Sequence, residues 1–534
     1  MIRNRREFIG ILSSAVPLIA AAPSWSAFGQ AARAQPIAIT RIGKVRGYRQ
    51  GTVLTFLGIP YGAPTGGEAR FMPPAAASPW TDVRDCTKLG PRCPQAPGSI
   101  FTSVELGPYF TGGRADGVEK TKCLDGEDCL CLNVLTPRLQ AALPVMVYIH
   151  GGGFTNGSAA LTAISDRFVR EQDVVLVGVN HRLNVFGYTY LGAVDPRLAD
   201  SGNVGQLDLI AALRWVRDNI ANFGGHPSNV TLFGESGGGA KISALLAMPG
   251  AQGLFQRAII ESGSPRTVRT REAAEKDTAD VLKTLGITPD RIGDLYKMPP
   301  TDLLKALSQG GPLGFGPLVD GRSVPHQTWE PAAPPEAAGV SLLVGNCKDE
   351  GTIFSKNPQL FHLDWDSLRA QEVSAGIPET AVDAVVAAYR KGYPTESPTD
   401  LYFRISADRG ARRNAIAQAT LKVEQNKGNV FMYQFAWNTP VLNGDLRAFH
   451  TAELPLAMRL VCYPQSEKLS RQISGAWAAF ARTGDPSHAG LPKWHTYTAA
   501  RRSTMVFDVG KTKLVVDPAK DELALLQPYP GGLL

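Results

Sequence analysis

Residues 229–250 read NVTLFGESGGGAKISALLAMPG, and the interpretation of the whole chain starts from this stretch. Residues 230–233 form a short apolar and β-branched run typical of a buried strand, and residues 240–248 have helical character until a Pro-Gly pair ends it. Between them, a G-x-S-x-G motif centred on Ser236 predicts a sharp turn from strand to helix. A serine held on such a turn has a strained backbone, and its hydroxyl projects to where a carbonyl carbon can reach it.

The composition is that of a soluble globular protein with a large core, since 44% of the 534 residues are hydrophobic and 19% are charged. No Pro/Gly/Ser-rich linker or internal repeat divides the chain, so we predict one large domain over residues 35–534. The 55 Lys and Arg residues against 48 Asp and Glu residues give a net charge of only +7. These charges are scattered, which argues against nucleic-acid binding.

The N-terminal 34 residues differ from the rest. Three arginines within residues 1–6 precede a mainly apolar run at 8–22, and a small-x-small cleavage site follows at 32–34. This pattern predicts an export signal, and residues 4–9 resemble a twin-arginine signal. An uncleaved anchor is the alternative, but about fifteen apolar residues fall short of the roughly 20 that span a bilayer. We expect a periplasmic or secreted mature protein that starts near Gln35, without stable membrane insertion.

A second motif points to stabilisation of negative charge. Residues 143–149 (LPVMVYI) are typical of a strand buried on both faces, and they lead into HGGGF at 150–154. Consecutive glycines let the backbone turn several N–H groups toward one point, and each such donor lowers the barrier of ester hydrolysis by on the order of 3 kcal/mol. We assign these donors to Gly152 and Gly153, together with the N–H of Gly237. A flexible turn is the alternative reading of an isolated GGG.

The order of strand, HGGGF and G-x-S-x-G favours an α/β-hydrolase fold, in which helices flank a central, mostly parallel twisted sheet. Further strands are predicted at 174–179, 341–345 and 430–435, and a helix at 203–223. Residues 39–95 carry alternating short runs and turn residues, which predict antiparallel strands at one edge of the sheet.

A serine nucleophile needs a base to take its proton and an acid to orient that base. In this fold the chain order is nucleophile, acid, base. Five of the eight histidines follow Ser236, and His450 lies in a loop after the predicted strand at 430–435. The acid is expected after the preceding predicted strand, where Asp349 and Glu350 are neighbours and spacing alone leaves both open.

Four motifs resemble the type-B carboxylesterase family, which includes the cholinesterases: HGGGF, EDCLCLNV at 127–134, LRWV at 213–216 and GESGG. The similarity extends over essentially the whole mature chain. The resemblance implies an esterase that cleaves small-molecule carboxylic esters through an acyl-enzyme, without a cofactor. The family pattern DEGxxF places the acid at Glu350, and the family's histidine motif matches His450, with Ser236 as nucleophile.

The resemblance also implies a disulfide between Cys93 and Cys129, which an exported protein can keep. Cys86 and Cys123 are the nearest alternative partners for this pair, and a second bond between Cys86 and Cys123 is also open. The seven cysteines show neither a CxxC motif nor a paired His and Cys spacing, so we expect no metal site.

Three further features follow from the resemblance. Arg70 is expected to pair with Glu127, and Leu313 and Phe315 are expected near the acyl carbon of a bound ester. An aromatic side chain in the core is the alternative for Phe315. Cys131 departs from the family pattern, which has an aromatic residue at that position.

Two alternatives to ester hydrolysis remain at this point. The same residues would cleave amides, carbamates or thioesters, and the sequence does not separate these leaving groups. Some family relatives keep the fold as non-catalytic adhesion or recognition proteins after losing the serine. Intact Ser236, Glu350 and His450, together with the intact HGGG, favour the enzyme.

Overall fold

An 11-stranded sheet runs through the part of the chain that the computed structural model describes, residues 35–97, 103–309 and 314–531, and a second sheet has three strands. In chain order the strands are β1 Ile37–Thr40, β2 Gly43–Arg46, β3 Tyr48–Gln50, β4 Val53–Pro60, β5 Val83–Asp85, β6 Cys131–Thr136, β7 Leu143–Ile149, β8 Val175–Val179, β9 Gly225–Glu235, β10 Arg257–Glu261, β11 Ser341–Cys347, β12 Val430–Phe435, β13 Ser503–Phe507 and β14 Lys513–Val516.

The described helices connect and cover these strands. They are α1 Gly107–Phe110, α2 Gly117–Lys120, α3 Asp166–Gln172, α4 Asn184–Tyr188, α5 Val204–Asn219, α6 Gly237–Leu245, α7 Arg271–Leu285, α8 Asp294–Lys297, α9 Pro300–Ser308, α10 Trp365–Ser374, α11 Glu379–Gly392, α12 Pro398–Arg409, α13 Ala411–Glu424, α14 Leu454–Ala457, α15 Glu467–Thr483 and α16 Lys520–Leu526. None of them is both long enough and apolar enough to cross a bilayer.

The large sheet has the strand order β14-β13-β12-β11-β10-β9-β7-β8-β6-β4-β3. The seven strands from β13 to β8 in this order pair in parallel, whereas β14 at one end and β6, β4 and β3 at the other pair antiparallel. The compact unit that contains the sheet begins at Pro36. The prediction of one α/β-hydrolase domain with a mostly parallel sheet is therefore confirmed.

The continuous apolar run of β7 is explained by cores on both faces of the sheet. Val145, Val147 and Ile149 pack into a core that includes residues of α5 and α6, while Met146 and Tyr148 pack into a second core with residues of α3 and α15. Successive side chains of a strand point to opposite faces, so a strand covered by helices on both sides needs an apolar residue at every position.

Most predicted elements lie close to their observed positions, and two differ. The sharp turn at Ser236, called the elbow below, leads directly into α6. The helix therefore begins at Gly237 rather than at residue 240. At the N-terminal edge, β3 and β4 pair antiparallel as predicted, but β5 pairs in parallel with β2 in the small sheet. The long connection that precedes β5 returns the chain in the same direction as β2. The predicted export signal lies outside the described residues.

Candidate active site

The turn between β9 and α6 holds Ser236 in a backbone conformation that L-residues rarely adopt, with φ 56° and ψ −125°. The glycines on either side make this turn sterically feasible. A Cβ at Gly238 would lie 2.0 Å from the Ile149 carbonyl oxygen, and a Cβ at Gly234 would lie 2.6 Å from the same atom. The elbow therefore depends on glycine at both positions because β7 passes directly against it.

The glycine loop after β7 lies against the first residue of α6. Gly152 and Gly153 have φ angles of 88° and 58°, and a Cβ at Gly237 would lie 2.2 Å from the Gly153 carbonyl oxygen. Within the described chain, no backbone carbonyl accepts a hydrogen bond from the N–H of Gly152 or Gly153. The structure thus brings the three predicted donor residues together and leaves two of their N–H groups available to a ligand.

His450 lines the same cavity as Ser236, and its ring contacts the Glu350 side chain. The Nδ1 atom of His450 lies 2.6 Å from Oε2 of Glu350, and Oε1 of Glu350 accepts from the Ser262 hydroxyl at 2.7 Å and the Cys347 N–H at 2.8 Å. A carboxylate oxygen at this distance favours the tautomer in which Nδ1 carries the proton, which leaves the lone pair on Nε2. Ser262 and Cys347 are contacts that the sequence did not indicate.

Asp349, the neighbour that sequence spacing left open, has other partners. Its Oδ2 accepts from the Ala448 N–H at 3.1 Å and lies 3.3 Å from Nζ of Lys348. The side chain is fully buried in these contacts. Glu350 contacts His450, whereas Asp349 ties the two loops together through Ala448.

A second carboxyl group approaches His450 from the elbow. Oε1 of Glu235 lies 3.2 Å from Nε2 of His450. Burial, followed by the charges of Glu453 and Glu350, raises the pKa of Glu235 well above its ordinary value. Burial therefore favours the neutral form of Glu235 beside the imidazole. Sequence reasoning missed this residue, because Glu235 occupies an unspecified position of G-x-S-x-G.

Two more buried acids extend this cluster. Glu453 accepts from the Cys347 thiol at 2.8 Å and from the Tyr433 hydroxyl at 3.0 Å, and burial raises its pKa. Burial also raises the pKa of Glu261 to about 8, although the Trp477 indole N–H donates to its Oε1 at 2.8 Å. The cluster carries less negative charge at neutral pH than its number of carboxyl groups suggests.

A cavity of about 630 Å³ opens onto these residues. Gly152, Gly153, Ser236 and His450 line it, and its other lining residues are Gln95, Ser103, Glu105, Leu106, Thr155, Asn156, Gly157, Glu235, Ile353, Phe354 and Thr451. Among the described residues, no group of three or more His, Cys, Asp or Glu side chains is arranged to hold a metal ion. The Ser236 and His450 side chains and the backbone of Gly152 and Gly153 thus face one cavity, while Glu350 contacts His450 from outside its lining.

Phe315, which was predicted near the acyl carbon together with Leu313, does not line the cavity of Ser236. Phe315 lines a neighbouring cavity of about 190 Å³, which shares Thr155 with the cavity of Ser236. The other lining residues of the smaller cavity are mostly apolar and include Val185 and Leu307. Leu313 lies outside the described residues.

The structure also locates the predicted side-chain pairs. Arg70 donates to both carboxyl oxygens of Glu127, at 2.7 and 2.6 Å, which confirms that pair. Cys93 and Cys129 are buried and in hydrogen-bond contact, and both are present as thiols. Cys131 is also buried, and burial raises its pKa to about 12.

A family model described as "Carboxylesterase family" matches residues 34–524. The chain belongs to the carboxylesterase family. It is 34% identical over 519 residues to the para-nitrobenzyl esterase of Bacillus subtilis (strain 168), covering 93% of this chain and 99% of that protein. It is 32% identical to the phenmedipham hydrolase of Pseudarthrobacter oxydans, with 88% and 95% covered.

Solved structures agree with this assignment. A carboxylesterase of Geobacillus stearothermophilus has a TM-score of 0.78 and 34% identity, covering 92% of this chain and 99% of the other. A structure titled PNB esterase has a TM-score of 0.75 and 33% identity, with 92% and 100% covered. The present carboxylesterase is a carboxylic-ester hydrolase with an α/β-hydrolase fold.

The buried acids predict how the stability of this carboxylesterase depends on pH. The pKa of Glu261 is about 8 in the native state, against 4.5 for an ordinary glutamate. Its proton therefore stabilises the fold fully below pH 4.5, and this stabilisation is lost as the pH rises through about 8. Glu261→Gln removes that titration while keeping an acceptor for Trp477. We expect the variant to match wild type at pH 5 and to melt a few degrees higher at pH 8, a difference on the order of 3 kcal/mol.

The measurement is the melting temperature from pH 5 to pH 9 for wild type, Glu261→Gln and the control Glu424→Gln. Glu424 is exposed at the end of α13, and its replacement should leave the wild-type profile unchanged. Equal pH profiles for wild type and Glu261→Gln would show that Glu261 is already ionised in the native protein.

Proposed function

We propose that this carboxylesterase cleaves carboxylic esters through an acyl-enzyme, with Ser236 as nucleophile, His450 as base and then acid, and Glu350 as the residue that orients His450. The observation that supports this best is the 2.6 Å contact between His450 and Glu350 beside the cavity that Ser236 and His450 both line. Glu350 fixes the tautomer in which Nε2 can take a proton, and it stabilises the imidazolium that forms.

The reaction proceeds in two halves. Ser236 Oγ attacks the ester carbonyl and passes its proton to Nε2 of His450, and the resulting oxyanion accepts from the N–H groups of Gly152, Gly153 and Gly237. The imidazolium then protonates the departing alcohol. Water repeats the attack on the acyl-enzyme with His450 as base, which releases the acid and restores Ser236.

Replacement of the triad residues tests these roles. Ser236→Ala should remove nearly all turnover, and Glu350→Gln should lower kcat by about 10³ to 10⁴ because it favours the wrong tautomer. The matched control Asp349→Asn should lower kcat by less than about tenfold, since Asp349 contacts Ala448 and not His450. The measurement is hydrolysis of p-nitrophenyl butyrate by protein whose folding has been verified by circular dichroism.

Active-site labelling separates this function from a non-catalytic role. An organophosphonate should add one equivalent of mass to the Ser236 peptide of wild type and none to Ser236→Ala. Wild-type turnover by Ser236→Ala, or a larger loss in Asp349→Asn than in Glu350→Gln, would refute the assignment.

The acyl group is proposed to extend from Ser236 past Thr155 toward Phe315. The smaller cavity shares Thr155 with the larger one, and the Phe315 ring occupies part of its wall. A ring in that place limits acyl length, because a longer chain overlaps it, whereas each accommodated methylene contributes at most about 0.8 kcal/mol. Short acyl groups are therefore the proposed substrates.

Phe315→Ala should shift kcat/KM toward longer acyl chains, because removal of the ring opens volume for extra methylenes. The measurement is a series of p-nitrophenyl esters from acetate to decanoate. Phe361→Ala is the control, since this partly buried ring packs against Phe403 in a separate core. An unchanged chain-length profile in Phe315→Ala would place the ring outside the acyl path.

Export and the Cys93–Cys129 disulfide are proposed together. The basic and apolar pattern of residues 1–34 supports export, and the contact between the two buried thiols supports their pairing in an oxidising compartment. The bond would stabilise the loop by about 3 kcal/mol on a chain-entropy basis.

One preparation tests both. Intact mass of the periplasmic or secreted protein should correspond to a start near Gln35, and peptide mapping without reduction should join Cys93 to Cys129. A double Arg5→Lys, Arg6→Lys variant is the control and should stay in the cytoplasm with both thiols free. A full-length exported chain, or another dominant partner for Cys93, would contradict the respective proposal.

A further inference from the structure

A lysine is buried inside the molecule directly behind the glycine loop. Lys241 lies in α6, five residues after Ser236, and none of it is exposed to solvent. Its Nζ donates to the His150 carbonyl oxygen at 3.0 Å, and the Lys241 carbonyl accepts from the Gln206 side chain at 3.1 Å. The side chain therefore links the helix that starts at the nucleophile to the peptide that starts the glycine loop.

The surroundings of Lys241 are unfavourable for a charge. Burial alone lowers its pKa to about 7, with no carboxyl group offsetting the effect. The Phe154 ring centroid lies 5.6 Å from Nζ. The His150 and His181 rings stack at 4.6 Å, and burial followed by the charge of Lys241 lowers the pKa of both well below the ordinary value. A buried ammonium without a counter-ion costs stability.

The position of the His150 peptide makes this contact important for the reaction. Gly151, Gly152 and Gly153 follow His150 without an intervening regular element, so the anchor at His150 sets where their N–H groups lie. The Gly153 backbone already approaches Gly237 so closely that a Cβ there would lie 2.2 Å from the Gly153 oxygen. A displacement of about 1 Å at such donors can reduce the rate by about 10².

The far end of the loop has separate supports. The Gly157 N–H donates to the Gln95 side chain at 2.7 Å, and the Asn184 N–H donates to the Phe154 carbonyl at 2.7 Å. Lys241 is the side-chain donor that holds the near end, through His150.

We propose that Lys241 is a positioning residue for the oxyanion hole, which it aligns with the nucleophile by anchoring the His150 carbonyl to helix α6. This role rests on the proposed acyl-enzyme function. The role explains why the fold buries a lysine without a carboxyl partner. The contact of Lys241 with His150 fixes the glycine loop, whose N–H groups bind the oxyanion.

The test variant is Lys241→Met, which keeps the length and apolar stem of the side chain and removes the donor. We expect kcat for p-nitrophenyl butyrate to fall at least tenfold with KM within twofold, because the donors act on the oxyanion and not on the bound ester. The inhibition constant of a trifluoromethyl ketone, whose serine adduct carries an oxyanion, should rise by the same factor as kcat/KM falls. The melting temperature at pH 7 should equal or exceed that of wild type.

Lys422→Met is the matched control. Lys422 in α13 is 1% exposed, donates to the Ala338 and Lys427 carbonyls at 3.0 and 2.7 Å, and has a pKa that burial lowers to about 8. It does not line the cavity of Ser236. Lys422→Met should keep the wild-type kcat and inhibition constant.

Three results would overturn the proposal. They are a wild-type kcat in Lys241→Met, a loss confined to KM, and a Lys241→Met that fails to fold while Lys422→Met folds, which would make Lys241 a stability residue only. Ser236→Ala in the same assay separates a failure of the proposed function from a failure of the role of Lys241. If Ser236→Ala retains activity, the proposed function fails, whereas an inactive Ser236→Ala beside a fully active Lys241→Met removes only the role of Lys241.

Discussion

The close passage of β7 against the elbow is the constraint on which the active site depends. The Ile149 carbonyl lies where a side chain at Gly234 or Gly238 would have to be, so the nucleophile turn and the glycine loop can only form against each other. This contact places the residue after β9 and the residues after β7 within one small volume. The orientation of the serine and the location of the backbone donors are thus set by the same steric fit.

Charge at the site is controlled by burial more than by pairing. Glu235, Glu261 and Glu453 are all buried, and burial raises the pKa of each, which disfavours negative charge beside His450. Glu350 is the carboxyl group that contacts Nδ1 of His450, and it also accepts from the Ser262 hydroxyl and the Cys347 N–H. Four acidic side chains of similar depth therefore serve different roles according to their donors.

The local patterns of the sequence predicted the central strands β7, β8, β9, β11 and β12 and the turn at Ser236, but not β6, β10, β13 or β14. The strand predicted at 143–149 coincides with β7 because every position of a strand covered on both faces is apolar, and that signal is contained in seven adjacent residues. Helix α6 was predicted too late because three glycines at its start have low helix propensity, and packing against β7 overrides that preference.

Contacts of the site that join distant segments could not be derived from local patterns. Glu235 beside His450, Ser262 on Glu350 and Lys241 on His150 each depend on the register of strands far apart in the chain. The resemblance to a family selected Glu350 over Asp349, but it gave no reason for the choice. The structure supplies one, since the Asp349 side chain is engaged by Ala448.

The distribution of Ser236, Glu350 and His450 along the chain has a consequence for biosynthesis. Glu350 and His450 are 100 residues apart, and β10, β11 and β12 must all be in place before the imidazole can reach the elbow. Non-local pairings of this kind form late in folding, because the chain between them must first be ordered. Under the proposed roles, a nascent chain that ends before His450 carries the serine without its base, and the appearance of turnover reports that β12 and the loop after it have joined the sheet.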